Sequence, residues 1–180
     1  MVNACNSTTP TLPNDALYHK PKPTTMRPST VVTVRIVIAS LGVVSGLLAG
    51  IPFAFHFRNY NAAGWSFVSS IFAAFVLILH IKHKNLTLRS WLPRLRTCML
   101  VGCVGQLAGV SVMVAYISLA VVLGQNLRML YGENYWIALV WGWMTWKWAF
   151  AVFYYSRLYR RLYIAEMQPK VPAYVNDDEQ

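Results

Sequence analysis

The chain has 180 residues, of which 56% are hydrophobic and only 12% charged, with a formal net charge of +10. So few charges would leave the surface of a soluble domain of this size uncovered, which excludes an ordinary globular enzyme and points to a membrane protein. The basic excess needs no nucleic acid, because lysines and arginines flanking membrane spans are attracted to anionic inner-leaflet lipids.

Residues 1–30 hold five of the nine prolines among many Ser, Thr and Asn, and read as a flexible tail without a fold of its own. A spanning helix needs about 20 apolar residues, and four stretches meet that length: Val34–Phe57, Ala62–Ile81, Thr97–Leu123 and Tyr135–Ser156. Only helices or closed barrels satisfy the backbone in lipid, and no alternating strand pattern occurs. The expected fold is an all-α membrane protein: a four-transmembrane-helix bundle over residues 31–163, between cytoplasmic tails 1–30 and 164–180. Thirteen of the sixteen lysines and arginines lie in the two tails, at the span ends that adjoin them, Arg35 included, and in the loop between spans two and three. Cations near span ends stay cytoplasmic, so both termini are placed there. Cys5, Cys98 and Cys103 then fall on the reducing side, where no structural disulfide is expected, and the acceptor patterns at Asn6 and Asn85 should stay unglycosylated.

Span one carries Gly42, Gly46 and Gly50 at steps of four, and span three carries Gly102, Gly105 and Gly109. Such small-residue faces suit close helix contact, either within the bundle or in a homo-oligomer. Pro52 is a candidate kink near the outer end of span one. His56 follows it. Span two ends in an apolar run closed by His80, with His83 three residues on in the basic loop. An intramembrane histidine is a functional candidate, and a neutral imidazole is a good axial ligand for heme iron. The other reading is a histidine hydrogen-bonded to a neighbouring helix. As a simple metal site, the His80 and His83 pair lacks a third ligand.

Span four contains Trp141-Gly-Trp-Met-Thr-Trp-Lys147-Trp-Ala-Phe150, which puts a lysine near the bilayer midplane at a cost of roughly 2.5–3.5 kcal/mol. The six carboxylates, Asp15, Glu133, Glu166, Asp177, Asp178 and Glu179, all lie in loops or tails, so Lys147 has no counter-ion inside the spans. It is either held by tryptophan faces through cation–π contact or available to an anionic ligand. Trp136, Trp143, Lys147, Phe150, Tyr154, Arg157 and Arg161 share one helical face that would suit a planar, apolar ring system bearing acidic groups. No catalytic triad, phosphate-binding glycine loop or metal-spaced cysteine cluster is present. No enzyme activity is therefore expected.

Residues 62–163 resemble the heme-responsive-gene family of four-span heme transporters, also called solute carrier family 48. The resemblance rests on Val76-Leu-Ile-Leu-His80, on Ser90-Trp91-Leu92 with Leu95-Arg96, and on Lys147-Trp148-Ala149-Phe150. It continues in Tyr155-Ser156-Arg157-Leu158-Tyr159, which is similar to the family's aromatic and basic exit motif. It implies transport of intact heme into the cytosol, with heme as substrate and no permanently bound cofactor. His80 falls on the heme-handling position of span two and would ligate the iron, while Tyr155, Arg157 and Tyr159 fall on the exit motif. Leu158 replaces the motif's second basic residue. The outer loop Gly124–Asn134 lacks the histidine that many members carry, which leaves His56, Tyr131 and Arg128 as candidates for outer capture. The expected partners are heme, membrane lipids and a second copy of the chain. The expected location is the plasma membrane, with endosomes or lysosomes as the alternative; Tyr159-Arg-Arg-Leu162 has the form of a tyrosine sorting signal. The competing reading is a small tetraspan scaffold without transport.

Overall fold

A computed structural model describes residues 30–126 and 131–167. Residues 1–29 and 168–180 of the predicted tails, with Cys5, Asn6 and Arg128, fall outside these residues, while residues 164–167 of the predicted C-terminal tail are the last residues of the fourth helix. The described residues form four long helices: α1 Thr30–Phe55, α2 Tyr60–Lys84, α3 Leu92–Val122 and α4 Tyr135–Met167, with a short 3-10 turn at Thr87–Trp91 before α3. The elements arise where the apolar stretches predict them, but α3 begins five residues before the predicted span and α4 runs eleven past it. Hydropathy marks the part of a helix that lipid covers. The helix itself continues through Arg94 and Arg96 at one end and Arg157, Arg160 and Arg161 at the other, because arginine is a good helix former.

Local chemistry sets the ends. The Asn59 side chain accepts the Ala62 amide at 3.0 Å and starts α2, while the tight α1–α2 connection holds Arg58 at φ 52°. Pro52 lies inside α1 one turn before its end. Trp91 carries Lys82 and Arg94 within about 5 Å of its ring, as suits a residue at a membrane interface.

α2 and α4 form the centre. They run parallel: Thr145 Oγ1 reaches Trp65 O at 3.3 Å at one end and His80 meets Tyr159 at the other. α1 packs antiparallel on α2 and α3 antiparallel on α4. Large aliphatic side chains on the outer faces of α1 and α3, such as Leu41, Leu48, Leu100 and Leu107, are more than half exposed, which lipid would cover. Three helices, α1, α2 and the Thr87–Val122 stretch containing α3, are long and apolar enough to cross a membrane. α4 is long but draws its apolar surface from Trp and Tyr, whose polar tips lower its hydropathy.

The glycine faces are filled within the chain. A Cβ on Gly42 would strike the Trp148 indole, one on Gly46 would come within 2.9 Å of Ser66 O, and one on Gly102 would sit 2.7 Å from Phe153 N and 2.9 Å from Ala149 O. At Gly102 the obstacle is α4 backbone, which cannot rotate away. Gly102→Ala should therefore cost about 1–3 kcal/mol by forcing α3 from α4. A thermal-melting assay in detergent should show the variant unfolding several degrees below wild type.

Candidate functional site

The last two turns of α2 meet the second half of α4 in a cluster of rings. His80 is 1% exposed and Tyr159 is 2% exposed. Their contact is a hydrogen bond of 2.7 Å between His80 Nδ1 and Tyr159 Oη. Tyr155, one turn back on α4, sets its ring edge-on to His80 with centroids 4.4 Å apart. The parallel register repeats the pairing one turn on: His83 stacks on Tyr159 at 4.2 Å and 19°, and its Nδ1 lies 3.4 Å from Tyr163 Oη. Leu79, Leu88 and Leu95 close the cluster with apolar surface.

The neighbouring-helix hydrogen bond and the ligand role were alternatives for His80 in the sequence, yet here they are compatible. A bond at Nδ1 leaves Nε2 as the nitrogen open to a metal. His83 is not a solvated loop residue as its position in the basic segment predicts. It belongs to the last turn of α2 and is half-buried between two tyrosines. Among the described residues no group of three or more His, Cys, Asp or Glu gathers that could hold a bare metal ion. Burial of Tyr159 also removes it as an exposed sorting signal.

The aromatic stripe of α4 takes a different direction from the cluster. Trp143, Phe150, Tyr154, Arg157 and Arg161 are exposed, so this face turns away from the bundle, while the buried face carries Thr145, Trp148, Val152, Ser156 and Tyr159. The exit motif is split by the same geometry: Tyr155 and Tyr159, four apart, face His80, and Arg157 between them points outward. Lys147 is half-buried. Its Nζ lies 4.8 Å from the Trp148 ring centroid and 6.0 Å from that of Trp143. Cation–π contacts of this kind supply roughly 0.5–2 kcal/mol each, which would offset part of the cost expected of a cation at the midplane without neutralising it. Trp148 in turn fills the space over Gly42, placing Lys147 beside the seam between α1 and α4.

The strongest signal that sequence reading missed lies on that seam. Arg35, the only charged residue of α1, places Cζ 5.1 Å from the Tyr155 ring centroid, next to His80. Its lone position in an apolar run was visible, but counting it among topology-setting cations hid its other face.

At the opposite end, His56 Nε2 and Tyr131 Oη are 3.1 Å apart and both residues are exposed, so two of the three outer candidates come together. The Gly132 amide bonds Phe57 O at 2.8 Å and holds the two loops in place. Glu133 fastens the same end by accepting the Tyr60 amide and the Asn61 side chain. Between the ends, an apolar groove of about 410 Å³ opens among α2, α3 and α4, lined by Trp65, Phe72, Val104, Gly105 and Thr145. It reaches neither His80 nor Lys147.

These features define a small multi-pass helical membrane protein whose polar groups gather at its two ends. The family model described as haem-transporter, endosomal/lysosomal, haem-responsive gene matches residues 95–148. The chain is also 38% identical over 143 residues to the heme transporter hrg-1 of Caenorhabditis elegans, covering 78% of this chain and 73% of that protein. No solved structure matches. The chain belongs to the heme-responsive-gene family of heme transporters, which are not enzymes.

Proposed function

We propose that this chain carries intact heme across a membrane into the cytosol, with His80 as the iron ligand at the inner end of the path. The single observation that carries this reading is the buried imidazole of His80, oriented through Nδ1 by Tyr159. An imidazole so held is pre-set for axial ligation, and one histidine grips weakly enough for a carrier to let go. All four helices span the bilayer, α4 included, with residues 31–163 as the transport domain and both tails in the cytosol. The distribution of cations supports that orientation.

Heme is first met outside by His56 and Tyr131, with Arg128 as the propionate partner. It passes Lys147 at the midplane, where the amine pairs a propionate, and Tyr155, Arg157 and Tyr159 attend its release. His80 is sealed in the described conformation, so access requires the α1–α4 seam to open where Trp148 covers Gly42 and Arg35 covers Tyr155. The family description favours an endosomal or lysosomal membrane over the plasma membrane. A second copy would meet the chain away from the glycine faces, which intrachain contacts occupy.

Lys147→Leu tests the midplane step. Uptake of a fluorescent heme analogue should fall severalfold in cells expressing the variant at wild-type abundance in the membrane. Uptake equal to wild type would reduce Lys147 to a lysine covered by tryptophans.

A further inference from the structure

We infer that Arg35 of α1 pairs a heme propionate while His80 holds the iron, so that the inner site recognises both the metal and the acid edge of its substrate. This rests on the reading of His80 given above and adds a binding residue from a helix outside the family-model match at residues 95–148.

Three observations converge. Arg35 is half-buried at the inner end of α1, and its guanidinium lies over Tyr155, the ring packed directly against His80. One aromatic ring is therefore shared by a fixed cation and the imidazole. Second, no carboxylate forms an ion pair with this charge among the described residues. The two carboxylates among the described residues are Glu133, bonded to Tyr60 and Asn61 at the far end of the bundle, and Glu166, exposed near the end of α4. Third, the other candidate cations are badly placed for this site. Arg157 points away from His80, and Lys147 lies eight residues before Tyr155, about 12 Å along the helix at 1.5 Å per residue.

The chemistry of the residue fits. Guanidinium presents paired N–H donors that match a carboxylate, stays charged at any physiological pH and stacks on aromatic faces while it waits. Both propionates leave the porphyrin from one edge, so an iron bound at His80 places that edge beside a neighbouring helix. Arg35 exchanges its contact with Tyr155 for a carboxylate when heme arrives, and the α1–α4 seam opens in the same step. The site would thus bind a metalloporphyrin lacking free acids more weakly than hemin, even though its iron could still reach His80.

The test compares purified full-length wild type, Arg35→Gln, Arg35→Lys and His80→Ala, each titrated with hemin and with hemin dimethyl ester and followed in the Soret band. The inference expects Arg35→Gln to bind hemin about tenfold more weakly, the loss of one charged hydrogen-bonded contact, and to bind the diester as wild type does. Arg35→Lys should recover part of the hemin affinity. Unchanged hemin affinity in Arg35→Gln overturns the pairing, and so does an equal loss for hemin and diester, which marks a packing role over Tyr155. If wild type gives no Soret shift that His80→Ala removes, the iron-ligand reading itself fails, and the His80 control identifies that outcome separately.

Discussion

His80→Ala should reduce heme uptake at least tenfold, to near background, while the protein still reaches its membrane. Among the described residues the imidazole is the one ligand-grade nitrogen sealed into the bundle, since His56 is exposed at the other end and His83 is only half-buried. Removing it deletes the iron contact and takes away the His80 partner of the buried Tyr159 hydroxyl, a loss of about 1 kcal/mol in stability. His80→Gln separates the two effects, because an amide can still bond Tyr159 but is a poor ligand for heme iron. Both variants should fail in a fluorescent heme-analogue uptake assay normalised to membrane abundance, with His80→Gln closer to wild type in thermal stability. Wild-type uptake by either variant would remove His80 from the path.

Tyr159→Phe should weaken hemin binding about tenfold while leaving the bundle folded. For Nε2 to meet iron, the Nδ1 proton must be directed at Tyr159 Oη, an arrangement the 2.7 Å contact permits. That bond fixes the ring's tautomer and rotation and raises the basicity of the coordinating nitrogen, and loss of such an orienting partner commonly costs 10–100-fold in metal affinity. The phenyl ring keeps its packing with His83 and the leucines, so a purely structural role predicts only a small change in melting temperature and no change in the Soret titration. An unaltered hemin affinity would show that Tyr159 merely fills space.

Much of the fold was legible. The four apolar runs predict the four helices, and the placement of His80 near the end of α2 follows from its position after Val76-Leu-Ile-Leu. Helical spacing also held Tyr155 and Tyr159 on one face, four residues apart, although the exit motif invites reading them together with Arg157, which the same spacing turns away. Direction was the hidden variable for α4. Periodicity aligned Trp143, Lys147, Phe150 and Tyr154 but could not say whether that stripe faced the core or the lipid, because in a membrane both surroundings accept aromatic rings. The small residues decided it: Gly142, Thr145, Ala149 and Ser156 let neighbouring helices approach, and the bulky stripe was left outside. Contacts between residues far apart in the chain, Arg35 with Tyr155 and His56 with Tyr131, had no local pattern to announce them.

The most direct test of the account is a hemin titration of purified full-length protein in detergent, wild type against His80→Ala. The account predicts a saturable Soret shift in wild type, characteristic of imidazole-bound heme, that is lost in the variant. A variant that reproduces the wild-type spectrum and affinity would contradict it, and iron would then have to be held elsewhere.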